Sequence, residues 1–426
     1  MFTIKNDAVV LGLLIIILAV IFKSSSSNRP ALKKFYNIVP ALLLCYFIPA
    51  IFNSLGIISG EESNLYFVAS RYLLPASLVL LCLSIDLKGI INLGPKALIM
   101  FFTATAGIII GGPLALWLIS LVAPEVLGGQ GPEEIWRGLA TVAGSWIGGG
   151  ANQTAMKEIY GASDSLFSAM IVVDVFVANL WMAVLLYGAG KSDNIDKKLK
   201  ADNTAIAELK TNIENYQAGI AKTTTFNDMA MIAAVAFGSV ALAHFLADLI
   251  APNISEVLDN ALTANPASSA IYLTSFGSGF FWLVVFATIF GIVLSFTKFR
   301  KLEGVGASKT GSLFLYILVA TIGMKMDIGE LIANWGVFKY LISVGLVWML
   351  IHVSILLLVA KLIKAPFFFV AVGSQANVGG AASAPIVASA FSPALAPVGV
   401  LLAVFGYAVG TFGAIACALF MQAVSM

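Results

Sequence analysis

The sequence predicts an all-α integral membrane protein of about 12–13 transmembrane helices, in two inverted repeats with two crossing broken helices. Three observations predict this class. Of 426 residues, 60% are hydrophobic and only 11% charged, and the mean hydropathy is +0.97, whereas soluble domains carry about 25% charged residues. Apolar runs of about 20 residues recur between short polar breaks, the length of a spanning helix rather than of a barrel strand. The third is a glycine-rich stretch that occurs twice. Gly144-Ser145-Trp146-Ile147-Gly148-Gly149-Gly150-Ala151-Asn152-Gln153-Thr154 returns as Gly373-Ser374-Gln375-Ala376-Asn377-Val378-Gly379-Gly380 with Ser383 beyond it. A shift of 229 positions pairs Gly144-Ser145 with Gly373-Ser374, Gly150 with Gly379 and Thr154 with Ser383. It still pairs Val175-Phe176 with Val404-Phe405, so the echo keeps register without a gap and marks an internal duplication.

Taken in order, the first apolar run, 9–22, follows Lys5, Asn6 and Asp7. Lys23 and four serines follow it rather than a small-x-small cleavage pattern, so a retained helix is expected instead of a signal peptide. Further spans are expected at 36–58, 65–86, 96–123, 135–158, 163–189, 227–250, 269–297, 311–328, 335–363, 366–391 and 394–424, twelve in all. The first repeat with its N-terminal helix covers 1–190, a polar linker 191–225 and the second repeat 226–426. In the linker Ile206, Leu209, Ile213, Tyr216 and Ile220 step by three and four, an amphipathic helix suited to the membrane surface or to the seam between halves.

Lysine and arginine mark cytoplasmic loops. Lys23, Arg29, Lys33 and Lys34 place the first loop inside, Glu61 and Glu62 the next outside, and Lys298, Arg300, Lys301, Lys361 and Lys364 extend the pattern. The two glycine-rich segments then run in opposite directions. A plain count of spans makes them parallel; the charges are given precedence. Two further echoes support the duplication: Asp86 closes one span in Leu83-Ser84-Ile85-Asp86 and Asp327 closes its counterpart, both read as residues at the membrane interface.

Each glycine in a helix interior costs roughly 1 kcal/mol relative to alanine, so Gly148, Gly149 and Gly150, and later Gly379 and Gly380, are expected to interrupt their helices. In lipid such a break persists only where protein or water satisfies the freed backbone, and matched interruptions in two halves point to a transporter's binding site. Ser145, Asn152, Gln153 and Thr154 in the first break, and Ser374, Gln375, Asn377 and Ser383 in the second, supply oxygen ligands for a hard cation such as sodium. Half-helix N-termini suit an anion. Asp174 lies mid-span with no basic neighbour in its own helix, at an insertion cost of roughly 2.5–3.5 kcal/mol. It is expected to carry a proton, ligate sodium or balance a base, with Asn179 ranked second. A sodium site is expected near Asn152, Asn377 and Asp174. The shift pairs Asp174 with Ala403, so a single titratable site fits ion-coupled transport better than a symmetric pore.

Other classes are disfavoured. Net charge is +2, without a basic patch interleaved with aromatics, so no nucleic-acid partner is expected. Cys45, Cys82 and Cys417 are isolated, and His244 and His352 are the two histidines, so no disulfide framework, metal cluster or other cofactor is expected. His352 reads as a packed or interfacial residue. Asp174 lacks the Gly-x-Gly-Asp of intramembrane aspartyl proteases, and Gly144-Ser145-Trp146 lacks the rhomboid Gly-x-Ser-Gly, so an enzyme is not expected.

These glycine-rich motifs, with Asp174 on the next helix, resemble the YjcL-like family of bacterial and plastid membrane proteins, a domain of unknown function. That family is similar to the superfamily of cation–proton antiporters and sodium-coupled anion carriers, including bile-acid and glutamate symporters. The resemblance covers nearly the whole chain. It implies a sodium–proton antiporter-like fold, a core domain of two crossing broken helices, a scaffold domain that often dimerises, and elevator-like movement in a bacterial inner membrane. In the antiporter branch an essential aspartate lies on the helix after the first crossing helix, where Asp174 falls. Val173-Asp174 stands in place of their Asp-Asp or Asn-Asp pair, which favours a sodium- or proton-coupled carrier of a small anionic or zwitterionic solute. A cation–proton antiporter and a non-transporting scaffold or receptor are the alternatives.

Overall fold

A computed structural model describes residues 3–36, 39, 41–60, 62–86, 90–201, 224–265, 268–325, 335–392 and 395–426. The amphipathic stretch 206–220, Asp327 and Glu61 lie outside these residues.

Helix α1 (Asp7–Ser25) starts where the Asn6 side chain accepts from the Ala8 and Val9 N–H groups, 2.9 and 3.4 Å. A short α2 (Pro30–Tyr36) leads to α3 (Ala41–Ser54), α4 (Leu65–Leu83, with a π-helical turn at Ala69–Leu73) and α5 (Pro95–Ser120). The first glycine-rich segment is α6 (Ile135–Tyr160), followed by α7 (Asp164–Ala189), capped by Ser163 on the Leu166 N–H, and α8 (Ser192–Leu199). Helix α9 (Phe226–Ala264) opens on a Thr225–Asp228 capping box and runs through Pro252 without ending. Its 39 residues reach about 58 Å at 1.5 Å per residue, so the expected stop near 250 is not observed. Then come α10 (Gly279–Ser295), α11 (Ala307–Gly323), α12 (Trp335–Leu362), α13 (Phe367–Val378), α14 (Gly380–Phe391) and α15 (Ala396–Ser425).

Among the described residues seven helices are long and apolar enough to cross a membrane, or eight if α10 and the 3-10 helix Lys298–Val305, bent by 95°, form one span. Twelve spans are expected from sequence, and the difference has identifiable sources. Helix α3 has 14 residues and α11 has 17, and both glycine-rich segments depart from a crossing helix altogether.

Each of those segments doubles back. In α6 the turn is Gly149, at φ 73° and ψ −174°. The Trp136 and Tyr160 rings lie 5.4 Å apart, Arg137 Nη1 donates to the Tyr160 carbonyl at 2.5 Å, and the Ser163 N–H donates to the Pro132 carbonyl at 2.9 Å. In a straight helix residues 137 and 160 would stand about 34 Å apart. Helices α13 and α14 fold back in the same way at Gly379 and Gly380 (φ 58°), bringing Phe367 and Phe368 to 6.1 and 5.3 Å from Phe391. Arms of 11–14 residues reach about 16–21 Å, short of a hydrocarbon core of about 30 Å. The expected crossing helices are therefore two re-entrant helical hairpins: hairpin 1 (α6) and hairpin 2 (α13 and α14). A hairpin returns to the face it entered and adds no crossing, which removes the disagreement between loop charges and span count.

Polar contacts sort the helix ends into two groups. One joins Lys5 with Glu62 (2.9 Å), Lys157 with the Tyr66 hydroxyl (2.8 Å), Arg71 with Glu158 (2.8 Å) and Lys157 with Asp164 (2.8 Å). The other joins Arg300 with Asp86 (2.5 Å), Ser84 with Glu303 (2.5 Å) and the Phe367 N–H with Asp196 (2.7 Å). The base of hairpin 1 lies in the first group and that of hairpin 2 in the second. Asp86 thus acts as an ion-pair partner at a helix end.

Candidate functional site

The two hairpins meet at their tips. A β-carbon placed on Gly380 would lie 3.8 Å from the Gly149 Cα, and one on Gly148 would come within 2.7 Å of the Gly410 Cα on α15. Gly149 occupies backbone space with positive φ and ψ near 180°, which is essentially confined to glycine. At each tip an outgoing arm ends and a return arm begins (150–160 and α14), so two helix C-termini and two helix N-termini, with partial negative and positive charge, converge where the tips touch.

Asp174 is the anchor of hairpin 1. It is buried on α7 and accepts three hydrogen bonds: Trp146 Nε1 to Oδ1 at 2.7 Å, Ser145 Oγ to Oδ2 at 2.6 Å and Gln153 Nε2 to Oδ2 at 3.0 Å. Ser145 and Trp146 lie on the outgoing arm and Gln153 on the return arm, so one carboxylate fastens both arms. All three donors are neutral. The arrangement suits an ionised carboxylate yet leaves its charge uncompensated, and of about four lone-pair sites one remains for a cation or a proton. Trp146 also packs on Trp348 of α12, with ring centroids 5.0 Å apart.

Two turns along the same face of α7, Trp181 Nε1 donates to Ser374 Oγ of hairpin 2 at 2.8 Å, and His352 Nε2 lies 2.8 Å from the same oxygen. His352 is a buried partner of hairpin 2, not an interfacial residue. Helix α7 therefore holds hairpin 1 through Asp174 and hairpin 2 through Trp181.

Asn152 and Asn377 form matched cross-links. Asn152 Nδ2 donates to the Gly148 and Tyr407 carbonyls, each at 3.0 Å, and its Oδ1 accepts from Thr411 at 2.6 Å. Asn377 Nδ2 donates to the Gly373 and Phe101 carbonyls at 2.9 and 3.3 Å, and its Oδ1 accepts from Thr105 at 2.8 Å. In each case the amide binds its own glycine four residues back and, on a neighbouring helix, an aromatic residue's carbonyl and the threonine one turn on. The matched asparagines stand 225 positions apart, one turn off the 229 shift that aligns the sequences. A sodium ion at either amide oxygen would share it with a threonine hydroxyl.

Thr154 donates to the Gly150 carbonyl at 2.7 Å, and Gln375 Nε2 donates to Ser383 Oγ at 2.7 Å while its buried Oε1 has no hydrogen-bond partner. Asn179 stands apart: half-buried, it donates to the Val175 carbonyl of its own helix at 2.7 Å, outside the Asp174 cluster. Trp146, Trp181, Thr105 and Thr411 were not signalled by sequence. Only Trp181, seven residues after Asp174 and so on its helical face, carried a usable cue.

Apolar helices packed around a polar centre built from two hairpins define a multi-pass membrane protein. Its family follows from comparison: the chain belongs to the DUF819 family, described as proteins of unknown function, whose pattern matches residues 12–424. It is 23% identical over 376 residues to the uncharacterized membrane protein YjcL of Bacillus subtilis (strain 168), covering 85% of each chain.

Proposed function

We propose that the protein is a secondary transporter that couples sodium or proton movement to a small anionic or zwitterionic organic solute bound at the hairpin tips. The observation that carries this reading is the meeting of Gly149 and Gly380 beside a buried carboxylate held by neutral donors. Broken helical segments from two halves converge where carriers hold their cargo, and an intramembrane carboxylate with uncompensated charge is a coupling site by default. Neutralisation of Asp174 by a proton or sodium would lower the barrier to moving the tips together with their cargo. The hairpin bases, in opposite groups of helix ends, support an inverted pair of repeats, each made of spans that flank one hairpin. Elevator-type movement and a homodimeric scaffold are part of the proposal.

The test is uptake in proteoliposomes under an imposed sodium or pH gradient, with amino acids and carboxylates supplied singly. Solute-dependent ion flux supports the reading. Sodium–proton exchange without solute would favour the antiporter instead, and no flux under any gradient would overturn both.

A further inference from the structure

The base of hairpin 2 is clamped from the side by α8. The Phe367 N–H is one of the first four of α13, which have no partner within their own helix, and Asp196 Oδ1 accepts it at 2.7 Å. The N-cap residue there is Pro366, which has no side-chain acceptor to offer, so the bond from α8 supplies the cap. The last turn of α7 closes in as well, since a β-carbon on Gly188 would meet the Phe367 ring at 2.5 Å. Asp196 and Leu199 form the buried side of α8.

The outer side of α8 is basic. Lys197 and Lys198 are exposed on it, with exposed Lys191 and Lys200 just before and after the helix. Lys361 and Lys364 are exposed where α12 ends, and Lys364 precedes Phe367 by three residues, no more than about 11 Å of backbone. Among the described residues none of these lysines is in an ion pair, and the exposed acid of α8 is Asp193. The neighbours mark the depth. Tyr187 is 67% exposed, its ring centroid 4.4 Å from Lys191 Nζ, and Leu362, 73% exposed, follows Lys361. Exposed tyrosines gather at the membrane–water interface, and lysines at span ends reach to it. This patch therefore stands at headgroup level, where clustered lysines complement the phosphates of anionic lipids.

We propose that α8 is an anionic-phospholipid contact: Lys191, Lys197, Lys198 and Lys200, with Lys361 and Lys364 across the hairpin base, hold lipid phosphates, and lipid so bound keeps Asp196 on the first turn of hairpin 2. The consequence is regulation by leaflet charge. In a neutral bilayer α8 loses its outer partner and the base of hairpin 2 loosens. The contact lies at the hairpin base, away from the tips, and stands whether or not the protein carries a solute.

The experiment uses the purified full-length protein in micelles of a neutral detergent, titrated with phosphatidylglycerol, with phosphatidylcholine and inorganic phosphate as controls. Phosphatidylglycerol is expected to raise the melting temperature while neither control does, and raised ionic strength should weaken the effect. Lys197→Gln/Lys198→Gln should melt with the parent without lipid and need about 25-fold more phosphatidylglycerol, about fivefold for each lysine. Lys33→Gln/Lys34→Gln, an exposed pair on α2, should leave the affinity unchanged. Hydrogen exchange over 367–370 should slow with phosphatidylglycerol in the parent but not in Asp196→Ala. Stabilisation by either control equal to that by phosphatidylglycerol, a Lys197→Gln/Lys198→Gln affinity within twofold of the parent, or an equal loss from the α2 pair would each overturn the proposal. Lipid binding that leaves exchange over 367–370 unchanged would overturn the tie to hairpin 2. Absence of ion or solute flux would bear on the transport reading alone.

Discussion

Two adjacent glycines should respond to alanine in opposite directions. At Gly149, with φ 73° and ψ −174°, an added β-carbon would meet Tyr407 Cε1 at 3.5 Å, an ordinary contact, so the penalty is conformational. Holding an L-residue in that region costs about 1–3 kcal/mol. Gly150 is helical, and its added β-carbon would find only Leu315 Cδ2 at 3.8 Å. There alanine should stabilise by about 0.5–1 kcal/mol through lower chain entropy. The two variants should thus differ by about 1.5–4 kcal/mol. Thermal unfolding of both in one detergent, at matched concentration, reads the difference directly. If Gly149→Ala melts with or above Gly150→Ala, the chain does not reverse at Gly149 and hairpin 1 is wrongly drawn.

Other perturbations bear on separate parts of the site. Asp174→Asn should insert and fold but lose coupled uptake in proteoliposomes; full transport by the variant would remove the carboxylate from the mechanism. Asn152→Ala and Asn377→Ala each forfeit three side-chain hydrogen bonds, and at about 0.6 kcal/mol apiece within a membrane each should cost about 2 kcal/mol by equilibrium unfolding, whereas Thr411→Val, which loses the hydroxyl shared with Thr288 and Asn152, should cost about half as much. At the linker, burial raises the Asp196 carboxyl above the usual aspartate range, against the pull of the Phe367 N–H it binds. A raised acid contributes stability below its unfolded pKa and loses it as pH climbs through the folded value. Asp196→Asn keeps the acceptor without the charge, so it should match the parent near pH 4 and melt slightly higher at pH 7, while Asp196→Ala should melt lower at both.

Much of this architecture was legible in the chain. Hydropathy located the helical segments, and the glycine clusters marked both interruptions because a residue without a β-carbon is the inexpensive way to leave a helix. Asp174 stood out because an ionisable group in an apolar run has few structural excuses. What the sequence did not reveal was how the interrupted segments continue. A chain that leaves a helix at Gly149 can resume in the same direction or reverse, and that choice depends on the dihedral angles of one residue and on partners far away, such as Thr411 and Tyr407 for Asn152. The one available clue was parity, since loop charges and a simple count disagreed by one crossing. Ligand geometry was hidden for a similar reason: Ser145 and Gln153 reach the same carboxylate only because the arms fold together, and Asn179, close to Asp174 in sequence, points elsewhere.

The half-depth reach of both hairpins makes each depend on its neighbours for its place. A straight span is held by the bilayer at both of its ends, whereas an arm of about 16–21 Å is anchored at its base and beyond that only by what it touches. For hairpin 1 that contact on α15 is backbone against backbone, since a β-carbon on Gly410 would come within 2.4 Å of the Gly148 Cα. A displacement of α15 is therefore passed to the tip without side-chain slack.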